Sequence, residues 1–228
     1  MGIVTSHPDW LISMWKSQYG EAVCKAVCEH DQLVSMQAIR VNRLKITEDA
    51  FLKQVEGFEK HPKLPEVLLA VKGTTLNREA FEKGLYSMQN ASSQLITPFL
   101  NPQPHDHILD ICAAPGTKTC HIAEWMQDQG SIIACDLHEH RVKLIEEGTQ
   151  RLGITCIETI CCDGTHADEI FAEAEFDRIL IDAPCTGYGT LQGKSDIRLR
   201  MKSEDMEMCI RDRFMASSRV ARSFGSLL

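Results

Sequence analysis

The sequence predicts an α/β fold, a parallel sheet with helices on both faces, preceded by a small α+β domain. Three observations carry this expectation. From residue 107 onward, apolar runs alternate with helical patterns, strand then helix. The runs themselves, "HILDI", "SIIAC", "ITCIETIC" and "RILID", are nearly all apolar, as strands covered on both faces require. Before residue 107 the pattern is mixed and irregular, without internal repeat or low-complexity tract.

Taken in order, residues 9–29 read as two short helices hinged near Gly20. "SMQAIRVNRLKIT" contains a strand, and "TEDAFLKQV" a helix with Thr47 as its N-cap. "HPKLPEVLLAVKG" supplies a turn and another strand. In the second half "HILDICAAPGTKT" is strand, tight turn and helix start, and "TKTCHIAEWMQDQG" is a helix terminated around Gly130. "SIIACDL", "EHRVKLIEEGTQRLG", "ITCIETICCDG", "HADEIFAEA" and "FDRILIDAPC" continue as strand, helix, strand, short helix and strand. The expected division is a lead-in domain over 1–84, a larger domain over 85–206, and a divergent tail over 207–228.

Composition narrows the function classes. The 228 residues, 43% apolar, suffice for one substantial domain and a small companion. No apolar run is long enough to cross a bilayer, so no membrane partner is expected. "MGIVTSHPDW" lacks the features of a signal peptide, and a cytoplasmic location follows. The ten cysteines are scattered without paired CxxC elements, so the expectation is no metal and mostly buried thiols. A formal net charge of −8 argues against strong non-specific nucleic-acid binding by the whole chain, while leaving room for a local basic groove.

In sheets of this kind ligands collect beyond the C-terminal ends of the strands. Asp110, Asp136, Asp163 and Asp182 all fall at or just after predicted strand ends. An adenosine moiety would account for the convergence, with Asp136 accepting from ribose hydroxyls and Asp163 from an exocyclic amine. The plain alternative for any one of them is a helix cap or a solvated turn. The first turn, "DICAAPGTKT", has one glycine where a dinucleotide fingerprint has three, and it lacks the glycine-rich lead of a P-loop. This favours a nucleoside-like cofactor without a diphosphate and disfavours a nicotinamide-dependent oxidoreductase.

"YSMQNASSQLITPFL", "ILDICAAPGTKT", "IIACDLHEHRVKLI", "CCDGT" and "LIDAPCTGYGTL" occur in order, and as a set they resemble the motifs of the RNA cytosine-5 methyltransferases of the Nol1/Nop2/Sun (Fmu) family. "HPDWLISMWKSQYGEA" and "AIRVNRLKIT" resemble that family's lead-in domain, so the likeness runs over about residues 6–206. The resemblance implies a Rossmann-like class I methyltransferase fold, S-adenosyl-L-methionine as cofactor, and RNA, specifically 16S ribosomal RNA, as the partner of a monomer. It also implies a cofactor site of Cys112, Ala113, Ala114, Pro115, Gly116, Thr117, Lys118, Asp136, Arg141, Asp163 and Asp182. Lys118 and Asp182 would lie by the target base. Asn90 stands where the family usually has Asp, and Thr117 where it commonly has a second Gly; the latter is tolerable if the backbone there has negative φ.

Cytosine C5 is a poor nucleophile, so the implied chemistry needs a thiolate to add at C6 and a group to remove the C5 proton. From the residues alone, Cys185 is the obvious nucleophile. The resemblance gives it a different part, assisting product release, and places the nucleophile in a later Thr-Cys-Ser motif that these residues lack. The implied catalytic residues are therefore Cys185, Asp182 and Lys118, in a fold read as truncated, and a noncatalytic cofactor- or RNA-binding remnant is the competing reading. Arg40, Arg43, Lys45, Lys72 and Arg78 are candidate phosphate contacts, with ordinary surface charge as the plain alternative.

Overall fold

The computed structural model describes residues 2–172, 174–187, 191–192, 195–200 and 202–206. Gly189, Cys209 and the tail arginines Arg211, Arg213, Arg219 and Arg222 lie outside the described residues. The described residues divide into two compact units, one of residues 2–35 with those described from 184 to 206, the other of those from 36 to 183.

In the first unit a short helix α1 (Gly2–Thr5) precedes α2 (Asp9–His30). Gly20 interrupts α2 with φ 83° and ψ 166°, values that break the helical hydrogen bonding, so the expected hinge is present. Ile12, Cys24 and Cys28 are buried together with Trp15 packed on them. His7 Nε2 meets Asp31 Oδ2 at 3.1 Å. Arg198, from the later helix Ser195–Arg200, is buried and donates to the carbonyls of Thr5 (3.1 Å) and Asp31 (3.0 Å).

The second unit holds two four-stranded sheets. The antiparallel one is built from β1 (Ala38–Val41), β2 (Phe58–Lys60), β3 (Leu68–Ala70) and β4 (Tyr86–Met88), in the order β2-β3-β1-β4. Helices α3 (Glu48–Gln54) and α4 (Arg78–Glu82) are both side-chain capped. Thr47 Oγ1 accepts from Ala50 N, as its sequence position predicts, and Asn77 Oδ1 accepts from Ala80 N. Strand alternation sends Ile39 and Val41 into a core with Phe51, Phe58, Leu68 and Tyr86. The residue between them, Arg40, turns to the opposite face. β2, β4 and α4 were not expected from the sequence; strands of three residues offer too few positions for a period to show. Tyr86–Met88 falls beyond the expected boundary after residue 84, yet it pairs with β1 through Val41↔Tyr86 and Ile39↔Met88.

Short helices α5 (Ala91–Gln94) and α6 (Ile96–Leu100) lead to the parallel sheet. There β5 (His107–Ile111), α7 (Thr117–Trp125), β6 (Ser131–Asp136), α8 (Glu139–Leu152) and β7 (Ile157–Cys161) follow in turn. A 3₁₀ turn (Gly164–His166), α9 (Ala167–Ile170) and β8 (Arg178–Ile181) complete it. The order is β7-β6-β5-β8, all parallel. Ile108 and Ile132 pack with Ile122, Met126 and Leu152 on one face. Leu109, Ile111 and Cys135 pack with Ala167 and Phe171 on the other. β5 and β6 are buried over most of their length. β7 and β8 are only partly buried, because each is an edge of the sheet among the described residues.

Arg40 joins the two sheets. Its side chain is 4% exposed and pairs in two-pronged fashion with Glu124 of α7, Nε–Oε2 at 3.0 Å and Nη2–Oε1 at 2.7 Å. Nη1 donates to Gln89 Oε1 and, at 2.8 Å, to the carbonyl of Thr117. Arg40 is therefore neither a phosphate contact nor an ordinary surface charge, and that expectation is corrected. Removing one partner of such a pair costs about 3–5 kcal/mol, because the other charge stays buried alone. Urea unfolding should show a loss of that size for Arg40→Met. Arg40→Met with Glu124→Leu should recover most of it, leaving only the unmet carbonyl and amide.

Candidate active site

The strand order turns around between β5 and β8, and the crevice beyond their C-terminal ends is where open parallel sheets place ligands. The loop after β5 fills one side. Cys112 is left-handed at φ 67°, the Ala114–Pro115 peptide is cis, and Gly116 has φ 91°. The left-handed backbone favours glycine at 116, and the space is tight as well, since a Cβ there would come within 3.1 Å of Ile145 on α8. Thr117 opens α7 and is not among the positive-φ residues, which is why a Cβ is accommodated at 117.

Asp136, at the end of β6, is knotted into that loop. Ala113 N donates to Cys135 O at 2.7 Å and Ala114 N to Asp136 Oδ2 at 3.3 Å. Arg141 closes the ring: Nη1 lies 3.3 Å from Asp136 Oδ1, and Nη2 donates to Ala114 O at 3.0 Å. The Asp136 carboxylate is 2% exposed, and its contacts to Ala114 N, His138 N (3.4 Å) and Arg141 are all long. Ligand hydroxyls arriving at this carboxylate would replace weak bonds with better ones.

The third strand end is tied to the same group. Cys162 N donates to Asp136 O at 3.0 Å, and Gly164 sits so close to Ile111 that a Cβ would be 2.4 Å from Cγ2. Asp163, between them, is largely exposed. Its Oδ1 accepts from Thr165 Oγ1 (2.7 Å) and Thr165 N (2.9 Å), and these bonds hold its carboxyl below the usual range. This is the capping geometry named as the plain alternative, and it leaves Oδ2 turned toward His166.

Lys118, in the first turn of α7, makes an ion pair with Asp182 Oδ2 just beyond β8, and the two side chains are 20% and 42% exposed. The structure puts the loop, Asp136, Arg141, Asp163, Lys118 and Asp182 in one compact unit. Cys185 is exposed and belongs to the other.

One carboxylate was noticed in the sequence but given no task. Asp110 is 1% exposed, takes a 2.6 Å hydrogen bond from Thr119 Oγ1 on Oδ2, and has no partner for Oδ1. Burial pushes its pKa up to about 7; Asp182 and Asp136 add to the rise, and Thr119 and Lys118 oppose it. The Asp–Thr spacing across a turn carries no distinctive sequence signal, which is why its state was not legible. Burial also raises the thiols of Cys112 and Cys120 to about 11 and that of Cys156 to about 12, so none of the three is an activated nucleophile.

Of the four remaining candidate cations, Arg43, Lys45 and Arg78 are engaged with the protein, and Lys72 is exposed. Arg43 pairs with Glu48 and Glu66, Arg78 with Glu82, and Lys45 donates to the carbonyls of Lys83 and Arg151. Among the described residues no His/Cys/Asp/Glu group suits a metal ion, and no helix is long and apolar enough to cross a membrane.

A parallel sheet with this order, a single-glycine loop and acidic strand ends define a Rossmann-like methyltransferase domain. Residues 97–217 match the family model for 16S rRNA methyltransferase RsmB/F, and residues 7–72 the ferredoxin-like domain of the same proteins. A probable ribosomal RNA small subunit methyltransferase B from Bacillus subtilis is 40% identical over 205 residues, covering 88% of this chain and 46% of the relative. A crystallised methyltransferase homologue from Pyrococcus horikoshii superposes with a TM-score of 0.84 at 26% identity, covering 98% of this chain and 72% of the other. NSun6 from Pyrococcus horikoshii, solved with SFG, gives 0.85 at 21% identity, covering 95% and 80%, and supports the fold. The chain belongs to the RsmB/F family of 16S rRNA methyltransferases. It spans about half the length of the curated relatives it matches. The cofactor of this family is S-adenosylmethionine, as the sequence resemblance implied.

Asp110 makes the site pH-sensitive. Its pKa is higher folded than unfolded, so between about pH 4 and 7 the folded chain holds a proton the unfolded chain has released. Stability from this group is therefore present below about pH 4 and falls as pH rises toward 7. Urea titrations should show wild type losing up to a few kcal/mol across that window relative to Asp110→Asn, which keeps an acceptor for Thr119. Parallel pH profiles for the two proteins would refute it.

Proposed function

We propose that this chain binds S-adenosylmethionine along the C-terminal rim of the parallel sheet and serves methyl transfer to C5 of a cytosine in 16S ribosomal RNA. The observation that carries the cofactor reading is the closed ring of Asp136, Arg141 and the Cys112–Gly116 loop. The residues present fit that group. Gly116 and Gly164 leave little room for a Cβ, Ala113 and Ala114 are small, and the Asp136 carboxylate is an acceptor held only by long contacts.

In this reading Asp136 accepts from the ribose hydroxyls and Arg141 orients its carboxylate. Asp163 offers Oδ2, the oxygen that Thr165 does not take, to the exocyclic amine, and the loop from Cys112 to Thr117 shapes the floor. When bound, the cofactor supplies an electrophilic methyl group on a sulfonium. Asp182 would hydrogen-bond the cytosine ring at N3, and Lys118, paired with that carboxylate, holds it in place until the base arrives. A thiolate adding at cytosine C6 would push an electron pair toward C5, making it the nucleophile for the methyl group, whose bond to sulfur would break with the pair left on a neutral thioether. Loss of the C5 proton to a base returns the pair and expels the thiolate. Cys185, exposed and three residues past Asp182, is assigned to that release step on the family likeness of its Pro-Cys element. The antiparallel sheet is assigned to the RNA side and the parallel sheet to the cofactor, in a monomer acting in the cytoplasm.

Calorimetric titration with S-adenosylmethionine, with NAD as control, tests the cofactor reading. The sulfonium compound should bind and NAD should not. Asp136→Ala should weaken binding about 10- to 100-fold, the worth of hydrogen bonds to a charged group. Unchanged affinity would remove Asp136 from the site. Methylation of 16S RNA with a label read at cytosine C5 tests the acceptor, and label at any other atom would overturn that part.

A further inference from the structure

The face that joins the two sheets carries a cavity that the cofactor reading does not use. It holds about 220 Å³ and is walled by the apolar side chains of Leu64, Pro65 and Leu95, with His121 and Trp125 of α7. This is smaller than the roughly 300–1,000 Å³ clefts that take drug-sized ligands, and its size suits a single ring system. The Arg43 guanidinium stands 6.0 Å from the centre of the Trp125 indole, and the His121 ring meets the same indole edge-on at 6.1 Å.

Two features describe what the cavity would accept. Arg43 is paired with two carboxylates, Glu48 at 2.7 Å and Glu66 at 3.2 Å, so the rim offers a flat guanidinium within a cluster of formal charge −1 and is a poor seat for a phosphate. His121 is 7% exposed, and its Nδ1 is buried without a hydrogen-bond partner. Burial, reinforced by Arg40 and Arg43, pushes its pKa down to about 2, so the ring is neutral, with one donor and one acceptor nitrogen. A flat, uncharged heterocycle carrying donors and acceptors on its edge would match an indole face and a neutral imidazole together. Unstacked RNA bases are bound elsewhere by this combination of aromatic and guanidinium planes with edge hydrogen bonds.

We propose that this cavity seats one unstacked base of the RNA, at a nucleotide flanking the one methylated. Trp125 lies seven residues along α7 from Lys118, about 10 Å at 1.5 Å per residue, so the two positions are served by the two ends of one helix. The inference rests on the RNA reading above and adds to it a second, non-reacting contact.

The test is fluorescence anisotropy of the full chain with a labelled single-stranded RNA carrying the 16S sequence around a candidate cytosine, with cofactor affinity measured in parallel. Trp125→Ala should weaken RNA binding roughly 5- to 100-fold, the range for loss of one aromatic stack, while Trp125→Phe retains most of it. Cofactor affinity should be unchanged in both. Because Trp125→Ala could unfold the chain, Leu95→Glu at the mouth provides a second reading, with the same charge at exposed Val71, outside the cavity, as its control. Leu95→Glu should weaken RNA binding clearly more than Val71→Glu. RNA binding that neither cavity variant alters beyond its control overturns the cavity assignment and leaves the RNA reading intact. A wild-type chain that binds cofactor but no RNA overturns both.

Discussion

One guanidinium, that of Arg40, sets the position of nearly everything functional in the larger unit. It lies on the face of β1 away from its own core and spends its donors on Glu124, Gln89 and the carbonyl of Thr117. Glu124 is near the end of α7 and Thr117 is its first residue, so both ends of the helix are registered against the antiparallel sheet. That helix begins where the cofactor loop ends. Burying two charges is expensive, and burial pushes the Glu124 carboxyl up against the pull of Arg40. The cost is offset because each polar atom of the guanidinium meets an acceptor. A second seam works in the same way: Asn42 Nδ2 donates to the carbonyls of Gly84 and Leu152, and Arg151 to those of Phe81 and Tyr86. It fixes the C-terminal end of α8, the helix that carries Arg141.

The rim shows how one residue type can be put to different uses by its surroundings. Asp110 is protonated up to near neutrality because its burial outweighs the opposing hydrogen bond from Thr119 and the charge of Lys118. Asp163 is held ionised by a hydroxyl and an amide in its own turn. Asp182 is matched by a lysine, and Asp136 by an arginine and a loop amide. These four carboxylates share the ends of four neighbouring strands, and what separates them is access to water and the partner on the next element.

The parallel half was readable in the sequence because its strands are long and apolar and its helices amphipathic; α8 ends at Gly153 in the left-handed conformation its position suggests. Thr47 and Gly20 were readable from local chemistry alone. The three-residue strands β2 and β4 were not, since their pairing depends on partners far along the chain. Arg40 shows the same limit for function. Its partner lies 84 residues away, and nothing near "AIRVN" announces a buried ion pair. The Lys118–Asp182 contact, 64 residues apart, was reached through the family likeness of its two motifs, not through spacing.

The neighbouring positions 116 and 117 stand under very different constraints. At 116 the backbone is left-handed and α8 presses within van der Waals distance; at 117 the chain has already turned into an ordinary helix. Drift among descendants of this sequence would therefore be filtered at one and nearly free at the other. A pattern written as two consecutive glycines would treat as equal a position fixed by geometry and one fixed only by habit. Thr117 records that difference in a single natural sequence.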